Sequence, residues 1–344
     1  MSSLLAAVLQ RLPALSHILI FLLAIYGPRH LPVLFATVLL GIHVVLIMNN
    51  ILSVWGQFCA WRGVEATCSS KVYKKYDVEH IIIIPAYKED LDILRETLDV
   101  LGSHVQARDQ YHICLAMEER EIGSQQKAVQ LRMEYQEVFA AIASSQHPII
   151  SGESAGKSSN VNWAARYMAA KFDTRRHARQ VITVIDSDTC LAQDYFQMVA
   201  ERFMASPPAI RSKMMFCVPI LFDRNAHEVP IFVRIVDILW AQAGFSTTYP
   251  TSDIKIPTSA YGISMQLVND VGFWDTGLES IGEDMHMFAK CFLSTGGNLH
   301  VQTIYSPASQ LNVVGSRHNE GGITAWVSDM CARYSQGMRH VSPI

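Results

Sequence analysis

No C-x-x-C pair occurs in this chain, and its seven cysteines (Cys59, Cys68, Cys114, Cys190, Cys217, Cys291 and Cys331) are scattered and odd in number. That argues against a disulfide framework or a structural zinc site and suits a reducing compartment. No N-x-[ST] sequon occurs either, in keeping with a cytosolic face. Neither sign of charge dominates: the net charge is −3 over 344 residues, so a nucleic-acid partner is not expected. No internal repeat, low-complexity tract or long linker divides the chain after its amino-terminal part. The most telling absence runs from Leu31 to Trp61, which holds no Asp, Glu, Lys or Arg; His43 and the polar pair Asn49-Asn50 interrupt its apolar first part.

A helix that crosses a bilayer needs ~20 mostly apolar residues, and the Leu31–Trp61 run is long enough. Leu4–Tyr26 is a second candidate, interrupted by Arg11, which can snorkel to an interface. Two transmembrane helices are therefore expected, at about 4–26 and 31–56, within an anchor of residues 1–61. Gly27-Pro28-Arg29-His30 is read as the tight link between them. A cleaved signal peptide fits poorly, because a second long apolar run follows at once. Arg62, Lys71, Lys74 and Lys75 make residues 62–79 a basic juxtamembrane segment, which places the following domain in the cytosol. Plasma membrane and Golgi or ER remain open alternatives.

From residue 80 on, strand and helix patterns alternate. Strands are expected at Ile81–Ile84, ended by Pro85, at Tyr111–Met117, at Pro148–Ser151 and at Met214–Phe222. Helices are expected at Leu91–Leu101, Gln126–Ala143, Asn160–Phe172 and Gln193–Met204. Repeated β-α units imply an α/β domain, residues 80–344, with a mostly parallel sheet covered by helices on both faces.

Val181-Ile182-Thr183-Val184-Ile185 is a run of β-branched residues that reads as a strand buried on both faces. It leads directly into Asp186-Ser187-Asp188. Ligands of open α/β sheets collect beyond the carboxyl ends of the strands, where these two carboxylates stand. One or two carboxylates plus substrate phosphates suffice to hold Mg²⁺. The same residues are also good turn formers. Glu283 and Asp284 precede an apolar helical run; the placement suits a helix start and also a carboxylate that takes a proton from an acceptor hydroxyl. Gln336 and Arg339, three apart, share a helix face, and Arg can clamp a diphosphate. Gly152 and Gly156 enclose three residues rather than the four of a P-loop, so a P-loop nucleotidase is disfavoured; Lys157 at a helix start can still meet an anion.

In order and spacing these pieces resemble the family 2 glycosyltransferases of GT-A fold, a Rossmann-like architecture, and their membrane-bound branch of cellulose, chitin and hyaluronan synthases. The motifs are Pro85-Ala86-Tyr87-Lys88-Glu89, Gly156-Lys157 with Asn162, Asp186-Ser187-Asp188, Gly282-Glu283-Asp284 and Gln336-x-x-Arg339. The resemblance implies a nucleotide-sugar donor, a UDP-sugar, held by the Pro85, Ala86, Tyr87 and Glu89 loop, with Glu118, Lys157 and Asp186 beside it. It implies Mg²⁺ or Mn²⁺ on Asp188, Asp284 as general base, Gln336 and Arg339 on the pyrophosphate, and Glu283 and His340 toward the acceptor. A single displacement from one base means inversion at the anomeric carbon. Two departures stand out. Glu118-Glu119 replaces the Asp that usually ends the second strand, and His340 replaces the Trp of the usual motif. The acceptor is a carbohydrate or a lipid, and membrane lipid and partner subunits are further expected contacts. Two spans are too few to enclose a polymer path, so long-polymer secretion by this chain alone is not expected. The alternatives are a single-addition glycolipid transferase, resembling ceramide glucosyltransferases, or a catalytically degenerate membrane-anchored homologue.

Overall fold

The computed structural model describes the backbone of residues 3–68, 73–172, 174–252, 254–277, 280 and 282–341; within these, the side chains of residues 3–10, 13, 68 and 339–341 are outside the description. Nine strands are described: β1 (Glu79–Ala86), β2 (Tyr111–Glu118), β3 (Ala141–His147), β4 (Gln180–Val184), β5 (Met214–Cys217), β6 (Ile220–Phe222), β7 (Tyr261–Ser264), β8 (His300–Thr303) and β9 (Ala308–Gln310). The helices are α1 (Ser3–His30), α2 (Pro32–Cys68), α3 (Leu91–Gly102), α4 (Ala107–Gln110), α5 (Ser124–Tyr135), α6 (Lys157–Ala169), α7 (Gln193–Ala205), α8 (Pro208–Arg211), α9 (Ile231–Phe245), α10 (Met265–Asp270), α11 (Glu283–Ser294) and α12 (Gly322–Val341). The chain forms two compact units, residues 1–52 and 53–344.

In the first unit, α1 and α2 meet at Leu31 without a loop. The Leu31 N–H donates to Gly27 O and the Leu31 carbonyl accepts from the Phe35 N–H, both at 2.9 Å. Gly27-Pro28-Arg29-His30, expected as a link, is instead the last turn of α1. Pro32 explains the break: it has no N–H to donate back into the preceding turn and is tolerated where a helix begins. A Cβ on Gly27 would stand 3.0 Å from Phe35 Cβ, so the chain passes close to itself there. Among the described residues one helix, Pro32–Thr67, is long and apolar enough to cross a membrane. The other expected span falls in α1, part of whose side chains lie outside the described residues.

The second unit is built on a seven-stranded sheet of order β3-β2-β1-β4-β7-β5-β8. Neighbours are parallel except around β7, which runs antiparallel to β4 and β5. The isoleucines of β1 alternate between two cores. Ile82 and Ile84 pack with Leu94 and Leu98 of α3 and with Phe196 and Phe203 of α7. Ile81 and Ile83 pack with Val161 and Met168 of α6 and with Met287 and Cys291 of α11. All four are fully buried, as a strand covered on both faces requires.

Several expected elements move. The helix expected over Gln126–Ala143 ends at Tyr135, and the third strand is Ala141–His147 rather than Pro148–Ser151. That strand is the sheet edge and carries Ser144, Ser145 and Gln146, so it lacks the apolar run that marks β1 and β4. β1 runs through Pro85 to Ala86, parallel to Ala116 and Met117. The Met214–Phe222 strand divides at Val218-Pro219, and β5 and β6 enter different sheets. Beyond Phe222 the structure adds three further strands, β7, β8 and β9.

The chain places β2 and β3 on one side of β1 and β4 on the other. The carboxyl ends of β1 and β4 are therefore the topological switch point of the sheet, where ligands of such folds bind. The last turns of α2 belong to this unit. Ser53 Oγ donates to Gln242 O of α9 (2.9 Å), and a Cβ on Gly56 would stand 1.9 Å from Phe245 O. Ala normally stabilises a helix interior by about 0.5–1 kcal/mol relative to Gly. Gly56→Ala should do the reverse and lower the thermal midpoint of the purified protein. Gly41→Ala, with open space around the added methyl, should leave the midpoint unchanged or raise it.

Candidate active site

Three sequence motifs meet at one lysine. Lys157, the first residue of α6, places Nζ 2.7 Å from Asp186 Oδ1 and 3.2 Å from Glu283 Oε2. Asp186 follows β4 and Glu283 opens α11, 97 positions on by the numbering, so the ammonium group joins two segments that are distant in the sequence. Gly282, at φ +69°, is in the left-handed region that favours glycine, and this turn sets the two carboxylates into the first turn of α11. Burial by itself would lower the Lys157 pKa, but Asp186, Glu283 and Asp284 outweigh it and raise it, so the lysine stays charged.

The two adjacent acids of α11 differ in setting. Glu283 is buried; its Oε1 accepts from the Tyr261 hydroxyl (3.2 Å), which accepts from the buried Trp274 indole N–H (2.8 Å). Burial pushes the Glu283 carboxyl up to about 7, opposed by Lys157 and reinforced by Asp284 and Asp186. Asp284 is only half-buried, and its Oδ1 accepts from the Met285 N–H (2.7 Å). Burial raises its pKa too, with Lys157 pulling the other way. Glu283 is thus committed to protein partners, and Asp284 is the more accessible carboxyl group.

Negative charge also gathers around Asp188. Burial, then the Asp186 and Glu89 carboxylates, push Asp188 up to about 7; Arg224 opposes them. Burial, followed by Asp186, raises Glu89 as well. Its loop is fixed: Lys88, at φ +63°, donates its N–H to Glu121 Oε2 (2.7 Å), and Lys127 Nζ reaches Glu89 O (2.6 Å) and Glu121 Oε1 (2.5 Å). Among the described residues no group of three or more His, Cys, Asp or Glu forms a metal cage. The donor set fits a cation that completes its shell with phosphate oxygens and water, and does not fit an all-protein site.

Tyr87 carries the Arg120 guanidinium over its ring at 4.0 Å, and Arg120 pairs with the buried Glu118. Glu118, Arg120, His147 and Glu153 line a small pocket beyond the end of β2. Pro85 and Ala86 lie in β1, with Ala86 buried. Asn162 is buried one turn into α6 and accepts from Arg166 (3.2 Å). Gln336, on α12, accepts from Arg333, whose Nη2 lies 2.9 Å from buried Asp237; its bond is to Arg333 and not to the carboxylate cluster. The side chains of Arg339 and His340 lie outside the described residues.

Sequence reasoning missed Tyr261, Arg224 and Gln310. Gln310 Nε2 donates to Thr189 Oγ1 (2.6 Å) and stands 3.5 Å from Asp186 Oδ2, which steadies the Asp-Ser-Asp turn. Arg224 donates to the Asp188 carbonyl. Each acts across the fold through a contact with no local spacing, so no sequence signal marks it.

Asp186, Asp188, Glu283 and Asp284 thus gather carboxylates at the switch point of an α/β sheet, where ligands of such folds bind. Residues 181–340 match the family described as Glycosyl transferase family group 2. This stretch carries Asp186, Asp188, Glu283, Asp284 and Gln336, and its similarity to that family agrees with the resemblance carried by the motifs. No curated protein matches the sequence. Among solved structures, it is similar to the mannosyltransferase PcManGT from Pyrobaculum calidifontis in complex with GDP-Man and Mn²⁺, at 13% identity and TM-score 0.46, covering 88% of this chain and 77% of that one. It is also similar to S. aureus TarS 1-349, at 10% identity and TM-score 0.42, covering 68% and 60%. A third is GalNAc-T7 with UDP, GalNAc and Mn²⁺, at 11% identity and TM-score 0.44, covering 70% and 45%.

The Glu283 setting has a thermodynamic consequence. A carboxyl whose folded pKa lies above its unfolded value of 4.5 binds more protons in the folded state between the two. Its contribution to stability is therefore lost as pH rises from about 4.5 to about 7. Thermal unfolding in detergent across that window should show wild type losing stability relative to Glu283→Gln as pH rises. Parallel curves would contradict this reading of the burial.

Proposed function

We propose that this chain is a membrane-anchored, inverting glycosyltransferase that moves a sugar from a nucleotide sugar, taken as a UDP-sugar, to a hydroxyl of a carbohydrate or lipid acceptor at the cytosolic face. The observation that carries the proposal is Lys157 joining Asp186 of one motif to Glu283 of another, beside the concentrated charge of Asp188. The family of residues 181–340 supports the reaction class.

In this reading the donor base lies against Tyr87, near Glu118, and Pro85 and Ala86 carry the loop that holds it. Asp186 meets the nucleotide, and Lys157 neutralises Asp186 so that a diphosphate can approach. Asp188 would hold Mg²⁺ or Mn²⁺, which supplies positive charge to the leaving diphosphate when bound. Gln336 and Arg339 on α12 would steady the pyrophosphate, with His340 toward the acceptor. Asp284 takes the acceptor proton as the oxygen attacks the anomeric carbon. Glu283, held by Tyr261 and Lys157, positions the start of α11 and hence Asp284. A single base opposite the leaving group gives inversion.

Asp188→Asn should abolish the metal-dependent part of UDP binding measured by calorimetry, with the circular dichroism spectrum unchanged. UDP affinity indifferent to EDTA in both proteins would count against the metal role. Asp284→Asn should retain donor binding and lose transfer by roughly 10²–10⁴-fold. Wild-type turnover in that variant would remove Asp284 as the base.

A further inference from the structure

Helix α9 carries one acid, Asp237, and buries it. Asp237 is 3% exposed, and its Oδ1 stands 2.9 Å from Arg333 Nη2 of α12. Burial pushes this carboxyl up to about 6, with Arg333 pulling the other way. Asp237 Oδ2 and Arg333 Nε are buried without a hydrogen-bond partner among the described residues. A buried ion pair left partly unsatisfied adds little to stability, and a well-packed apolar pair of similar volume is often as stable or more so. Stability therefore does not account for these two charges, and the remaining contact of Arg333 points to a second role.

Arg333 Nη1 donates to the carboxamide oxygen of Gln336. A guanidinium has donors only, so the amide turns its oxygen to Arg333 and its NH2 group away. Asp329, Arg333 and Gln336 are spaced i, i+4 and i+7 and form one stripe along α12. Two points of that stripe are tied down. Asp329, 1% exposed, accepts from the Gly315 N–H (2.8 Å) and pairs with His318 Nδ1 (2.9 Å). Arg333 is held by Asp237. The support behind Asp237 is shared with the Asp-Ser-Asp turn: α9 packs on β6, and two residues beyond β6 Arg224 donates to the Asp188 carbonyl.

We propose that Asp237 and Arg333 are positioning residues for Gln336. Asp237 holds Arg333, Arg333 holds the amide oxygen, and the NH2 group of Gln336 is thereby presented as a donor to the diphosphate of the nucleotide sugar. Ionised phosphate oxygens accept hydrogen bonds and do not donate them, so an amide presented oxygen first would repel the anion. The role of the pair rests on the reading of Gln336 as a diphosphate contact, and adds to it the two residues that decide which end of the amide meets the ligand.

Calorimetric titration of the full-length protein in detergent tests it. UDP, GDP, ADP and CDP are screened with Mn²⁺, and the one that binds wild type is used throughout. Gln336→Ala should weaken its binding roughly 10–100-fold, as expected for loss of a hydrogen bond to a charged group. Asp237→Leu with Arg333→Met removes both charges at once, so neither is left buried alone, and should keep the wild-type thermal midpoint. It should still weaken binding roughly 2–10-fold, because the amide must now be ordered by the ligand. Added to Gln336→Ala, the same pair of changes should have no further effect, since its influence passes through the amide. Arg333→Lys serves where the double variant is unstable: it keeps a cation for Asp237 but, as a point charge, lacks the fork that spans both partners, and it should show the same loss and the same non-additivity. Wild-type affinity in the pair variant and in Arg333→Lys, with weak binding in Gln336→Ala, would overturn the proposal and leave the reading of Gln336 standing. Full additivity would overturn it as well, since the pair would then act by another route. Wild-type affinity in Gln336→Ala, or no diphosphate bound by wild type, would remove the Gln336 reading and the proposal with it.

Discussion

The Lys157 ammonium between Asp186 and Glu283 is the contact on which the cleft depends. A buried carboxylate of Glu283 without a cation would be strongly disfavoured, and removing one member of a buried charged cluster typically costs about 3–5 kcal/mol. The lysine fixes the distance between the end of β4 and the start of α11. It therefore sets the Asp186-Ser187-Asp188 turn and the Glu283-Asp284 pair on opposite sides of one space. The Tyr261–Trp274 chain buttresses Glu283 from behind, and Gln310 and Arg224 buttress the Asp turn.

The charge pattern separates two roles for neighbouring acids. Glu283 is enclosed, fully partnered and displaced in pKa by burial, features of a group that holds a geometry. Asp284 is more open, in the first turn of the same helix, where the helix dipole favours its ionised form. Around Asp188 burial and the neighbouring carboxylates Asp186 and Glu89 make the ionised form costly.

Much of this was legible in the sequence where the signal was local. The buried strand into Asp186, the Gly-Glu-Asp start of α11 and the Gly156-Lys157 start of α6 follow from β-branched runs and helix-start chemistry. The edge strand β3 was not legible, because its Ser144, Ser145 and Gln146 carry no apolar run. The break in the β5–β6 segment comes from Pro219, which cannot donate to a ladder and lets the chain change sheets. The helix junction at Leu31 was misread as a four-residue link because Gly27-Pro28 resembles a turn, whereas the first two residues stay helical and Pro32 makes the break. Tyr261, Arg224 and Gln310 act over long sequence separations and have no periodicity to betray them.

The central claim is that the cleft around Lys157 transfers a sugar from a nucleotide donor. Its most direct test is to incubate the full-length protein in its membrane with a panel of nucleotide sugars and Mn²⁺, following nucleoside diphosphate release and the anomeric configuration of the product. The account predicts that one donor is consumed and that the new bond has the configuration opposite to the donor's. No donor consumed above the level of membranes lacking the protein, or a product of retained configuration, would contradict it.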